Sequence, residues 1–158
     1  MAIKLKMTVT TVYPFYGFLT NDINQIVQYM DEEWKQEFNE LNEKCYFDKN
    51  YKNSTEYNDE YYRLVGDIFC SPQKLINGIY AQRLPHDLSE KCNYDFVIGF
   101  HKNSDLSASW SRINILTLNN DVDYINSIQN KDDILNKHFI KGQQYKLILS
   151  ADDCHCCS

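Results

Sequence analysis

Residues 20–45, TNDINQIVQYMDEEWKQEFNELNEKC, place Ile23, Ile26, Val27, Met30, Trp34, Phe38, Leu41 and Cys45 at steps of mostly three and four. That spacing gathers them on one side of a helix, and Asp31, Glu32, Glu33, Glu37 and Glu40 fall outside the stripe. The polar start Thr20-Asn21-Asp22 suits a helix N-terminus. The stretch predicts one long amphipathic helix, which must bury its apolar side against another element.

The flanking sequence offers strands for that purpose. Ile3, Leu5, Met7, Val9, Thr11, Val12 and Tyr13 alternate with polar residues well enough to read as a half-buried strand over residues 3–13, ended by Pro14 and Gly17. Residues 46–58 hold almost no aliphatic side chains and read as a polar loop, with a short helix behind it through Tyr61, Leu64, Val65 and Ile68. Ser71-Pro72 reads as the cap and first turn of another helix, with Leu75, Ile76, Ile79 and Tyr80 on its buried side and Leu84-Pro85 as its stop. Tyr94 to Phe100 and Trp110 to Leu118 read as strands, Asn120 to about His138 as a capped helical region, and Gln144 to Leu149 as the last strand. With the helical insert set aside the order is βαββαβ, a ferredoxin-like succession. The expected fold is α+β, a small mixed or antiparallel sheet packed on the long helix. One domain is expected over residues 1–151, with a Cys-rich tail at 152–158.

The chain has 158 residues, 43% of them hydrophobic and 14% aromatic, which is enough apolar material for one core and too much for a disordered segment. Its formal net charge of −6 comes with only three arginines, Arg63, Arg83 and Arg112, and with lysines scattered along the chain. Phosphate backbones are held by clustered cations, so no nucleic-acid partner is expected. An acidic surface suits a basic protein, because complementary potentials speed encounter. The N-terminal residues alternate without the continuous apolar run of a secretory signal, and no segment approaches the length of a membrane span. A cytoplasmic location with reduced thiols follows as the expectation.

Four groups of residues could carry chemistry. In the tail Cys154-His155-Cys156-Cys157-Ser158, Cys154 and Cys157 have the two-residue separation of a zinc-chelating pair, but Cys45, Cys70 and Cys92 are isolated and supply no second pair. The prenylation position is His155 rather than cysteine, and Asp152-Asp153 works against a lipidated tail on an anionic membrane. Cys70 would sit at the positive end of a helix begun by Ser71-Pro72, where a thiolate is favoured, with His86, His101 or His138 as a base. His101, Arg112 and His138 could form the acid, base and charge clamp of a metal-independent nuclease. Asp48, Asn50, Ser54, Glu56 and Asp59 stand at partly calcium-like offsets, but Lys52 occupies a ligand position and Asn53 replaces the required glycine, so this is read as a polar loop.

Tyr46, Phe47, Tyr51, Tyr57, Tyr61 and Tyr62 are interleaved with Glu56, Asp59 and asparagines. Tyrosine offers large contact area at low entropic cost and is enriched at interfaces. The leading expectation is a small cytosolic protein-binding domain without catalysis or cofactor, of inhibitor, immunity or viral/phage accessory type. It would bind a protein, with a basic one best suited, through Tyr46, Tyr51, Glu56, Tyr57, Asp59 and Tyr62. The alternatives are a hydrolase or nuclease using Cys70, His101 and Arg112, and a structural domain whose tail binds metal at Cys154 and Cys157 or is lipidated.

Overall fold

The computed structural model describes residues 12–102, 115–139 and 144–151. Residues 3–11 of the expected strand 3–13, residues 110–114 of the expected strand 110–118, Arg112 and the cysteine tail lie outside them. Among the described residues five strands form one open sheet in the order β2-β3-β4-β1-β5, with every neighbouring pair antiparallel. They are β1 (Val12–Thr20), β2 (Gln73–Ile76), β3 (Ile79–Arg83), β4 (Phe96–Phe100) and β5 (Lys146–Ala151). The helices are α1 (Asn24–Val27), α2 (Glu32–Phe47), α3 (Thr55–Tyr61), α4 (His86–Cys92), α5 (Ile115–Ser127) and α6 (Lys131–His138). The α+β class with an antiparallel sheet stands.

The long helix is divided. Asp31 takes an extended conformation and its side chain accepts the backbone N–H of Trp34 at 2.8 Å, a bond that a continuous helix would give to Met30. An aspartate offering this local partner starts a helix better than it continues one. Beyond the cap, Trp34, Phe38 and Leu41 are buried as the spacing requires. Trp34 stacks on Phe38 at 4.9 Å, and its Nε1 donates to the Leu64 carbonyl at 2.9 Å.

The helix expected from Ser71-Pro72 does not form. Residues 73–83 are the hairpin β2-β3, turned at Asn77 (φ 50) and Gly78 (φ 81). Two successive positive φ angles match the right-handed twist of a hairpin, and Asn-Gly is the dipeptide that adopts them most readily. Residues 115–118, expected to end a strand, belong to α5. The βαββαβ succession is therefore not made by the expected segments, and the sheet gains β2 at one edge.

β1 runs through Pro14 and Gly17 instead of stopping there. It pairs with β5 from Val12 to Gly17 and with β4 from Tyr16 to Thr20, so Pro14 lies where β4 is absent and its missing N–H deprives no ladder. A Cβ on Gly17 would strike the Ile98 carbonyl, and one on Gly99 would strike the Tyr16 carbonyl, so both glycines permit the close approach of β1 and β4. Gln82 shows how far the sheet curls. Its Nε2 donates to the carbonyls of Cys70 and Ala151, each at 3.0 Å. By register Gln82 is level with Leu19 and Ala151 with Val12, about 23 Å apart along a flat sheet, with β4 and β1 lying between their strands. Only a strongly bent sheet brings the end of β5 to β3.

Period-two burial sorts the core between the two sheet faces. Phe96, Ile98 and Phe100 join Ile79, Ala81 and Phe18 under α1, α2 and α6, where Ile26, Trp34, Phe38, Leu41 and Leu135 close the main cluster. Tyr13, Phe15, Tyr80, Leu84, Val97 and Ile148 form a smaller cluster on the opposite face. Each fully buried large side chain stabilises the fold by about 1.5–3 kcal/mol.

Candidate interaction surface

Residues 31–62 contain ten carboxylates and four lysines, a formal charge of −6, and the rest of the chain carries twelve residues of each sign. The whole net charge therefore lies on the layer formed by α2, the 3-10 turn Tyr51–Asn53 and α3. Eight of those ten carboxylates are exposed; Glu37 and Glu60, the two partly covered, both reach Arg63, at 3.4 and 3.0 Å. That pairing ties α2 to the end of α3; of the exposed carboxylates, Asp31 and Asp48 accept backbone N–H groups, Glu32 lies 3.5 Å from Lys35 and Glu40 accepts from Gln36, while Glu33, Glu43, Glu56 and Asp59 have no partner among the described residues. The amino-acid order alone carries this concentration of charge in residues 31–62.

Burying Trp34, Phe38 and Leu41 turns the opposite side of α2 outward. Glu33, Gln36, Glu40, Glu43 and Phe47 follow one another there at steps of three and four, forming a single stripe. Gln36 Nε2 donates to Glu40 within it at 3.4 Å. Phe47 is 83% exposed and Tyr46 is 81% exposed, and their rings meet edge to face at 5.4 Å.

The other tyrosines behave differently. Tyr51, Tyr57 and Tyr61 make a ladder, with centroids 6.1 and 5.8 Å apart, that packs against the main core. Burial raises the phenol pKa of Tyr57, with Cys45 adding to it, and burial likewise leads the rise at Tyr61. Glu56 and Asp59 are exposed on α3, and the half-exposed Tyr62 lies beneath the Arg83 guanidinium at 5.8 Å. Of the aromatic residues chosen from sequence, Tyr46 thus faces solvent fully, Tyr62 in part, and Tyr51 and Tyr57 mainly brace α3. Much of the expected loop 46–58 is helical: Tyr46 and Phe47 end α2, Tyr51–Asn53 is a 3-10 turn, and α3 begins at Thr55 because Ser54, in an extended conformation, caps it by accepting from Tyr57 N at 3.1 Å, while the ladder supplies the apolar contact that aliphatic residues would give.

Cys70 ends the 3-10 turn Ile68–Cys70 and its Sγ donates to the Asp67 carbonyl at 3.0 Å. With β2 where a helix was expected, no helix N-terminus is present there to favour a thiolate. His101 is buried in a cage of Phe15, Tyr13 and Tyr80 with centroids 4.9–5.6 Å away. Its Nδ1 lies 3.0 Å from the Pro14 carbonyl, which can only accept, so Nδ1 carries the proton. Nε2 is buried and has no partner among the described residues, and burial lowers the imidazole pKa. His138 Nε2 lies 3.2 Å from the Asn77 amide, while its ring meets Tyr29 on the main-cluster side. The two imidazoles therefore occupy opposite faces of the sheet and do not converge.

A shallow cavity of about 270 Å³ is lined by Tyr16, Ile128 and residues 130–133. Its polar groups serve one another: Tyr16 Oη donates to Asp132 at 2.6 Å, and burial, then Asp132, pushes the phenol pKa to about 12. The calcium-like loop spends Asp48 on the backbone N–H of Asn50 at 3.0 Å. Among the described residues there is no group of three or more His, Cys, Asp or Glu side chains suited to a metal, and no helix long and apolar enough to cross a membrane.

Comparison with protein-family models, curated proteins and solved structures returns no match to this chain.

Proposed function

We propose that this chain is a cytosolic, non-catalytic binding domain that engages a basic protein through the α2–α3 layer, masking its partner as an inhibitor, immunity or viral accessory protein does. One observation carries the reading: the entire net charge and, among the described residues, the two most exposed large hydrophobic side chains occupy the same layer. Carboxylates alone would be consistent with mere solubility. Exposed aromatic rings among them add the apolar contact that a specific interface uses at its centre. The lysine-poor outer stripe of α2 presents a negative potential that steers a cationic surface toward those rings.

A titration of the isotope-labelled protein with an octa-lysine peptide at low ionic strength tests this. Backbone amide shifts confined to residues 31–62 and lost on adding salt support it. Shifts spread evenly over the surface, or none, contradict it.

A further inference from the structure

The Tyr46–Phe47 ring pair closes the C-terminal end of the α2 stripe, and neither ring belongs to either core cluster. Elsewhere this chain repeatedly seats a cation on an aromatic face: Lys44 over Tyr51 at 5.9 Å, Arg83 over Tyr62 at 5.8 Å, Lys102 over Tyr124 at 5.9 Å and Lys131 over Tyr16 at 4.9 Å. Among the described residues no cation lies over Tyr46 or Phe47, and the nearby Lys44 is already directed to Tyr51. Glu43 precedes the two rings by three and four positions, on the same side of the helix, and Asp48 follows directly. The pair thus has aromatic faces and flanking carboxylates and, among the described residues, no cation of its own.

Resting on the binding reading above, we propose that Tyr46 and Phe47 receive an arginine side chain of the basic partner, its guanidinium over a ring and its N–H groups toward Glu43 and toward Asp48 Oδ2, the oxygen that the Asn50 N–H does not take. Arginine fits better than lysine, because its planar, weakly hydrated guanidinium stacks on aromatic faces and also offers a fork of donors to a carboxylate. The steering charge of Glu33 and Glu40 then brings the segment in, and the rings decide which cation it must carry.

The experiment measures dissociation constants of fluorescein-labelled octa-arginine and octa-lysine peptides, by anisotropy, for the full chain and for its Y46A/F47A and E33Q/E40Q variants. Both ring positions are exposed, so Y46A/F47A should keep the wild-type far-ultraviolet circular dichroism. The expected result is tighter binding of the arginine peptide by the wild type, with a preference of about fivefold that disappears in Y46A/F47A while the salt dependence stays. E33Q/E40Q should weaken both peptides alike and flatten their salt dependence. An arginine preference that survives in Y46A/F47A, or equal binding of both peptides by the wild type, overturns the arginine seat and leaves the acidic surface standing. If neither peptide binds at low ionic strength, the acidic-surface reading falls and the seat with it.

Discussion

Trp34 Nε1 donates to the carbonyl of Leu64 at 2.9 Å, and both residues are buried. This bond fixes the rotation of α2 about its axis against the single π-helical turn Tyr62–Gly66 that follows α3. With Trp34 turned inward, Glu33, Glu40, Glu43 and Phe47 must face out. Trp34→Phe removes the donor and leaves a buried carbonyl unsatisfied, a loss of about 1–3 kcal/mol. Urea unfolding should show a lower midpoint with an unchanged slope.

Asp31→Ala removes the acceptor that starts α2 and should cost about 1 kcal/mol. Because the same cap separates α1 from α2, helical content by circular dichroism should change little. The measurable effect is on the unfolding midpoint.

The two glycine positions should differ in sensitivity. Gly78→Ala places a side chain at φ 81 with only the Phe100 ring in contact range, and the cost should be about 1 kcal/mol. Gly17→Ala drives a methyl into the backbone of Ile98 and Gly99, where no flexible side chain can yield. Its loss should be larger, about 2–3 kcal/mol. Equal losses in thermal or urea unfolding would contradict the close crossing of β1 and β4.

His101 sets an acid limit on stability. Burial, opposed only by the bond to Pro14, lowers its folded-state pKa below the ordinary 6.5. The unfolded chain therefore binds the proton more readily, and the stability contributed by neutral His101 is complete above pH 6.5 and lost as pH falls below it. Asp121 acts in the opposite sense: burial raises its carboxyl pKa, partly offset by Lys102, so its contribution is lost as pH rises through that raised value. Comparing wild type with His101→Gln at pH 7.5 and at pH 5.5 isolates the imidazole. The stability gap should narrow at the lower pH, and a constant gap would show that His101 does not titrate differently on folding.

Strong periodicity was legible and weak periodicity was not. The Trp34-Phe38-Leu41 stripe and the strands β4 and β5 were readable because burial on one or both faces dictates their pattern. Leu75, Ile76, Ile79 and Tyr80 satisfy a helix and a hairpin equally, and only Asn77-Gly78 between them decides for the hairpin. The tyrosine-rich segment was legible as unusual, but which rings face outward depends on how α3 packs against the core. Composition marks Tyr51 and Tyr57 as contact residues, and the ladder turns them inward.

The central claim is that location, rather than total charge, makes the α2–α3 layer a binding surface. Two triple variants separate these: E33K/E40K/E43K on the α2 stripe, and D87K/D123K/D133K on α4, α5 and α6, all exposed positions. Each raises the formal net charge from −6 to zero. If α2 carries the surface, octa-arginine binding at low ionic strength is abolished in the first variant and kept within about twofold in the second. Equal loss in both would reduce the acidic layer to bulk electrostatics and contradict the proposed function.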